Sequence, residues 1–474
     1  MSTDKTQLAV IGGGPGGYAA AFMAADLGLQ VTLIDPRESP GGVCLYEGCI
    51  PSKALLHAAK LVFEARQAQA WGIRFGPPQI DLKMLREWKN GVVAQLTGGV
   101  GQLARQKKIE HIRATATFRD SESLHIWPLK GQPFDLTFEH AIIATGSRAA
   151  ELPDMETESG NFLDAAAALE LKSIPKKLLV IGGGYIGLEL GTVYAALGSE
   201  VTVAEMADSL LPGVDPDMVR FLARQLSQRL VAIHLNTTVK TAKDQKNGVK
   251  VTFAGANVDD KAQLFNKVLI AVGRRPNSVR LGLDRTRVEV DSRGFIRVDA
   301  QRRTTDPRIF AIGDVAGEPM LAHKATHEGR IAAEAIAGRK VAFEPAAIPA
   351  VVFTDPEIAW AGLSESAAKE RGIEFRTVRF PWAASGRAAT MGRNDGLTKL
   401  IVAPENERIL GVGMVGPGAG ELIAECVLAM EMGANVTDLG LTIHPHPTLS
   451  ETLMEAAQLL HGLSTHYHSP RKGG

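Results

Sequence analysis

Short, unbroken apolar runs closed by glycine organise the first half of the chain. LAVI at residues 8–11 leads into three glycines, an alanine-rich stretch, a stop at Gly28, and a second run, VTLI, that ends on Asp35. This pattern predicts strand, tight turn, helix and strand, a βαβ unit. It returns later: Leu178–Glu205 repeats Leu8–Asp35 with 12 of 28 positions identical, including Gly12/Gly182, Gly14/Gly184, Gly17/Gly187 and Gly28/Gly198. HAIIATGS (140–147) and KVLIAVGR (267–274) form a weaker pair, each a buried-type strand followed by glycine, as if closing the two units. TTDPRIFAIGDV (304–315) predicts another strand, ending at Gly313 and Asp314. From about residue 346 the pattern changes to mixed strands and amphipathic helices. The tail SPRKGG is expected to be disordered.

Each βαβ frame carries the glycine spacing of a dinucleotide site, with an acid at the end of the second strand. The first glycine (Gly12, Gly182) allows the turn. The second (Gly14, Gly184) lets backbone approach a pyrophosphate at the helix N-terminus, and the third (Gly17, Gly187) permits close helix–strand contact. Asp35 or Glu205 can accept hydrogen bonds from a ribose diol. A glycine-rich turn with a solvated acid is the plain alternative, but two full frames in one chain point to two dinucleotides and a relay between them. Asp314 could bond a cofactor polyol or simply cap a helix.

Composition narrows the classes. The length of 474 residues suggests about three domains. Lys plus Arg and Asp plus Glu number 52 each, and no long basic cluster occurs, which argues against nucleic acid as a partner. No apolar run is long enough to span a bilayer and no signal-peptide pattern precedes the first strand, so a cytoplasmic protein is expected. Three cysteines exclude a disulfide scaffold.

Two of those cysteines, Cys44 and Cys49, lie in GGVCLYEGCIPSK (41–53). In an ideal helix their Cα atoms would be about 8–9 Å apart, beyond the roughly 7 Å a disulfide tolerates. Either they do not pair, or the turn is distorted, and Gly48 is the residue that permits distortion. Pro51 restricts Ile50 to extended or turn conformations and so argues against a regular helix here. Two buried core thiols are one reading. A metal site is disfavoured, since the remaining cysteine, Cys426, sits in an apolar helical run and reads as core. Beside two dinucleotide sites, a redox dithiol is the better reading. Its place just after Asp35 puts it beside the first nucleotide, which points to a flavin there and the nicotinamide at the second.

The motifs GGVCLYEGCIPSK, GGGYIGLE, AIGDVAGEPMLAHKA and TIHPHPTLSE resemble, over nearly the whole chain, the flavin-dependent pyridine nucleotide–disulfide oxidoreductases, and most of all the branch that oxidises dihydrolipoamide. The resemblance implies an α/β chain with two Rossmann-like dinucleotide-binding domains and a C-terminal α+β interface domain. The expected boundaries are 1–149 for FAD, 150–275 for NAD, 276–345 completing the FAD domain, and 346–474 for dimerisation. It implies that Cys44 faces the dithiol substrate and Cys49 the flavin. Lys53 is expected near the flavin's reactive nitrogen, paired with Glu189, and Tyr185 over the ring until nicotinamide displaces it. Asp35, Ala114, Thr145, Gly146, Ser147, Asp314, Met320, Leu321, Ala322 and His323 would hold FAD. Glu205 would take the ribose of NAD, with Val239, Ala271 and Gly273 lining that site. His446 and Glu451 would be a base and its orienting acid, supplied to the other subunit's site and so requiring a homodimer. From the residues alone, His444 and His446 are only loop histidines beside prolines, and Glu451 could be a helix-start acid.

Three positions depart from the family pattern. Tyr46 stands where Asn is common and is expected to alter substrate access or flavin tuning. Ala114 replaces a glycine, shifting a backbone contact with adenine. Pro445 replaces Ala and would stiffen the His446 loop. Glu205 would repel a 2′-phosphate, and Met206, Ala207 and Asp208 supply no Arg to bind one, so NAD is expected rather than NADP. The expected partner is a lipoyl-bearing protein of a 2-oxo acid dehydrogenase or glycine cleavage system. A glutathione reductase-like activity, or a mainly structural role in such a complex, are the alternatives.

Overall fold

The computed structural model describes residues 5–152, 159–255, 258 and 261–468; the tail SPRKGG lies outside them. The first sheet has the strand order β3 (Glu110–Ile112), β2 (Val31–Ile34), β1 (Lys5–Ile11), β6 (Phe134–Ile143), β5 (Ser123–Pro128), β4 (Ala114–Phe118). Strand Ile309–Ala311 pairs in parallel with β6, so a segment from far along the chain completes this sheet. The β1 strand is apolar throughout because both its faces are covered. Leu8 and Val10 pack with α1 (Pro15–Asp26) and helix Ala322–Ile336, while Ala9 and Ile11 pack with Ala116, Phe118 and Leu124. Helix α1 and helix 322–336 meet through small residues; a Cβ on Gly329 would lie 2.5 Å from the Gly16 carbonyl oxygen.

The second sheet repeats this arrangement, with parallel strands in the order Ala232–His234, Glu200–Ala204, Lys177–Ile181, Lys267–Ile270, Phe162–Leu163. A short antiparallel pair, Ser147–Ala149 with Arg274–Pro276, joins the two halves. The last part of the chain is a five-stranded antiparallel sheet packed by helices Ala419–Glu431, Val436–Leu441 and Glu451–Leu460. Cys426 is fully buried in that core, as its apolar run predicts. Among the described residues, no helix is long and apolar enough to cross a membrane.

A charge cluster fastens this last sheet to helix Pro216–Arg229. The Lys399 ammonium, 1% exposed, lies 2.6 Å from Asp215, 2.8 Å from Asp217 and 3.1 Å from Glu365, and Arg379 also meets Asp217 and Glu365. These three acids are close enough to hold a cation, but the lysine occupies their centre.

Candidate functional site

Both glycine turns adopt the expected geometry, and crowding explains the first and third glycine of each. Gly12 (φ +104°) and Gly182 (φ +107°) are left-handed; a Cβ there would lie 2.4 Å and 2.3 Å from the carbonyl oxygens of Ala144 and Ala271. A Cβ on Gly17 would sit 1.8 Å from the Gly12 oxygen, and one on Gly187 2.3 Å from the Gly182 oxygen. Gly14 and Gly184 are the residues just before helices α1 and Tyr185–Ala196, leaving their first amides unpaired by any side chain. The strand-end acids behave alike. Asp35 accepts from the amides of Gly13 (2.7 Å) and Arg37 (2.9 Å), and Glu205 from those of Gly183 (2.5 Å) and Ala207 (2.7 Å). Each acid therefore pins its own glycine loop.

A cleft of about 940 Å³ opens along the first turn. It is lined by Gly12, Gly14, Asp35, Cys44, Cys49, Lys53, Ala114, Thr145, Gly146, Ser147, Tyr185, Glu189, Asp314, Met320 and Ala322. Leu321 and His323 stand outside the lining; the His323 ring pairs through Nε2 with the Pro349 carbonyl at 2.7 Å. Asp314 accepts from the Ser147 hydroxyl at 2.5 Å, one residue beyond Gly313, whose φ of +72° ends the strand. The buried Glu328 accepts from the Gly313 amide at 2.7 Å and is balanced by Arg302 and Lys324.

Both cysteines are free, and each perturbs the ionisation of the other. Cys44 is on α2 (Gly42–Glu47), and Cys49 opens α3 (Cys49–Gln67). The helix breaks between them at Gly48, where a Cβ would lie 2.9 Å from the Val43 carbonyl oxygen, so the distortion permitted by Gly48 is what brings the sulfurs together. The expectation from Pro51 was wrong. Pro51 lies in the first turn of a regular α3, where its missing N–H would have had no intrahelical partner. The hydrogen bond from Cys44, helped by the Lys53 ammonium and opposed by burial, lowers the Cys49 thiol to about 7. Cys44, whose proton is held by Cys49 and which is itself half-buried, moves well above its ordinary value. Lys53 pairs with Glu189 at 2.8 Å; the other Glu189 oxygen accepts from the Phe353 amide at 2.9 Å. Tyr185, at the start of its helix, is 39% exposed in the wall of the cleft, where desolvation by its surroundings raises the phenol above its ordinary value.

The glycines of the second turn are outside the lining of this cleft, although Tyr185 and Ile186, which follow Gly184, are part of it. Ala271 supplies the carbonyl that crowds Gly182, Gly273 is left-handed at +118°, and Val239 is half-buried against the Phe253 cluster. His446 and Glu451 also stand apart from the cysteines within one chain. His446 Nδ1 faces Glu451 Oε1 at 2.9 Å, and Oε2 accepts from the Thr448 amide at 2.7 Å. Glu451 opens helix 451–460, so it is both the helix-start acid and the partner of the imidazole. Pro445, beside it, is exposed, and its carbonyl accepts from the Thr448 hydroxyl at 2.7 Å.

Arg274 escaped the sequence reading. It reaches the Ser147 hydroxyl and carbonyl, both at 2.7 Å, and approaches Asp314 at 4.0 Å. Its signal was its place directly after Gly273 in KVLIAVGR. Tyr46, the departure between the cysteines, donates its hydroxyl to the Ser39 carbonyl at 3.0 Å, and the Arg37 guanidinium lies 4.5 Å from its ring centre.

Two dinucleotide folds around a thiol pair define a flavin- and nicotinamide-linked disulfide oxidoreductase, and the comparisons agree. A family model described as pyridine nucleotide-disulphide oxidoreductase matches residues 6–329, and one for the dimerisation domain of the same enzymes matches 348–457. The chain belongs to this family. It is 46% identical over 461 residues to a dihydrolipoyl dehydrogenase of Haemophilus influenzae (97% of this chain, 96% of that one). It is 45% identical over 463 residues to a dihydrolipoyl dehydrogenase of Geobacillus stearothermophilus (98% and 97%). Among solved structures, LpdA from Mycobacterium tuberculosis superposes with a TM-score of 0.88 at 28% identity (96% and 99% covered). The Cu(II) complex of the HOCl-induced flavoprotein disulfide reductase RclA of Escherichia coli gives 0.86 at 29% (97% and 100%).

Proposed function

We propose that this chain oxidises a dihydrolipoyl group carried by a partner protein, through a Cys44–Cys49 couple and FAD, and delivers the electrons to NAD⁺. The observation that carries the reading is the pair Cys44 and Cys49, both in the wall of the cleft that runs along the first glycine turn. The dihydrolipoyl dehydrogenases to which the chain is similar support the choice of substrate. Residues 1–149 with 276–345 would form the FAD domain, 150–275 the NAD domain and 346–474 the interface, in a cytoplasmic homodimer.

The cleft fits FAD. The amides at the start of α1 suit a pyrophosphate, Asp35 a ribose, Ala114 the adenine, Asp314 a polyol, and Thr145–Ser147 with Met320 and Ala322 would close the site. When bound, FAD supplies a two-electron acceptor between dithiol and pyridine nucleotide. Gly182, Gly184, Gly187 and Glu205, with Val239, Ala271 and Gly273, would hold NAD⁺. The exposed Met206 beside Glu205 offers nothing to a 2′-phosphate.

His446, reaching the partner subunit's site, would take a proton from one dihydrolipoyl thiol, while Glu451 holds Nδ1 and stabilises the imidazolium. The resulting thiolate attacks Cys44 of the oxidised pair. A mixed disulfide forms and Cys49 leaves as a thiolate, favoured by Lys53 and its place at the start of α3. The second lipoyl thiol then displaces Cys44 and closes the lipoyl disulfide, its proton passing to the departing Cys44 sulfur while the first stays on His446. The substrate has lost two electrons and two protons, and the enzyme's dithiol holds the electrons. Replacing Cys49 by Ser tests the relay: dihydrolipoamide-dependent NAD⁺ reduction should be abolished, and survival near the wild-type rate would refute it. Faster oxidation of NAD(P)H by glutathione disulfide than reduction of NAD⁺ by dihydrolipoamide would favour the glutathione reductase-like alternative.

A further inference from the structure

The aromatic ring in the redox motif has a place of its own. Helix α2 is six residues long, carries Cys44 and has no side-chain cap at either end. Short helices of this kind are held by tertiary contacts rather than by propensity. At its start the Gly41 amide donates to the Gly13 carbonyl at 2.7 Å, and Gly42, with φ of +58°, lies against Gly14. Its far end carries Tyr46 and Glu47, and both grip one residue. Glu47 meets the Arg37 guanidinium at 2.8 Å, and the same guanidinium lies over the Tyr46 ring. The Tyr46 hydroxyl reaches one step further, to the Ser39 carbonyl. Arg37 in turn is bonded through its amide to Asp35, the acid at the ribose end of the cleft, and its side chain lines that cleft.

We propose that Tyr46 is a positioning residue that clasps the loop after Asp35 to the helix bearing Cys44, so that retention of the flavin nucleotide's adenosine end and placement of the reactive thiol depend on one contact. The proposal rests on the functional reading above, in which FAD occupies the cleft. Asparagine at this position could neither lie beneath a guanidinium nor span to Ser39. A cation over an aromatic face and a hydroxyl–carbonyl bond are both lost in Tyr46→Asn.

The test uses the purified flavoprotein and its Tyr46→Phe, Tyr46→Asn, Arg37→Ala and Arg37→Ala/Tyr46→Asn variants. FAD release is followed by the rise of flavin fluorescence, and Cys44 reactivity in the reduced holoenzyme by iodoacetamide alkylation. Tyr46→Asn should release FAD about fivefold faster and expose Cys44 to several-fold faster alkylation. Tyr46→Phe, which keeps the ring over Arg37, should recover part of both effects. In the Arg37→Ala background, Tyr46→Asn should have a smaller effect, that of the lost Ser39 bond alone. A Tyr46→Asn protein that keeps its flavin and its Cys44 reactivity unchanged would overturn the proposal alone. So would an effect of undiminished size in the Arg37→Ala background, since it would mean that Tyr46 acts without its clasp. If Tyr46→Asn does not fold, the Tyr46→Phe and Arg37→Ala variants decide, and wild-type release and alkylation rates in both would overturn it. A wild-type protein that binds no flavin would overturn the functional reading and this proposal together.

Discussion

Replacing Lys53 by Met strips the ammonium from a nearly buried carboxylate. Glu189 is only 4% exposed, and without Lys53 it keeps a single partner, the Phe353 amide at 2.9 Å. Removing one member of a buried pair typically costs about 3–5 kcal/mol. Lys53 is itself 32% exposed, so solvent already screens the pair. Discounting for that leaves a loss of about 1.5–3 kcal/mol. The cost arises from the stranded carboxylate rather than from the lost attraction, and that distinction can be tested. Glu189→Gln keeps an oxygen for the Phe353 amide and carries no charge, so the Lys53→Met/Glu189→Gln protein should regain most of what Lys53→Met loses. Denaturant unfolding of the four proteins, followed by tryptophan fluorescence under one flavin loading, gives the comparison. A Lys53→Met protein within about 0.5 kcal/mol of wild type, or a double variant no more stable than the single one, would refute this account.

Other expectations concern the thiols, the histidine and the glycines. The largest influence lowering Cys49 is its hydrogen bond from Cys44, so in reduced Cys44→Ala the Cys49 thiolate should appear only above the pH near 7 at which it forms in the wild type; titration of thiolate absorbance near 240 nm reads the shift, and an unmoved curve would contradict it. The Thr448 amide and His446 hold the Glu451 carboxyl below its ordinary range despite the opposing effect of partial burial. Glu451→Gln should therefore leave His446 without its charged partner and lower dihydrolipoamide turnover by about a hundredfold, with a steeper loss than in NADH oxidation by an artificial acceptor. Gly17→Ala should destabilise more than Gly187→Ala, because the added carbon would sit 1.8 Å rather than 2.3 Å from a carbonyl oxygen; equal melting temperatures would count against this.

Much of this was legible in the sequence because its causes are local. The glycines at 12, 17, 182 and 187 and the acids at 35 and 205 are set by backbone turns a few residues long, and the repeat exposed them twice. The Cys44–Cys49 contact was legible only conditionally: spacing left pairing open, and Gly48 decides it through crowding by Val43, which no spacing argument contains. Pro51 misled because a local rule about the preceding residue was weighed above the tolerance of a helix's first turn. Arg274 and Glu328 act on Ser147 and Gly313 across strand pairings and helix packing, and nothing in their own neighbourhoods announces those partners. Tyr46 was noticed as a departure, but its direction is set by Arg37, nine residues earlier and on the far side of a turn. His446 marks the remaining boundary, because its partner Glu451 is five residues away while the cysteines it would serve are not near it in its own chain.

The knot around Lys399 bears on how the halves of the molecule travel. Three carboxylates meet two cations where helix 216–229 rests on the last sheet, so the junction carries a surplus negative charge and an ammonium sealed from water. Asp217, although burial opposes it, is held below its ordinary range by Lys399 and Arg379. The stabilisation from a carboxyl so depressed is complete above its unfolded value and vanishes as acid titrates it in the native state. The fold built on the second glycine turn is thereby welded to the last sheet, and acidification is the lever that would unfasten it.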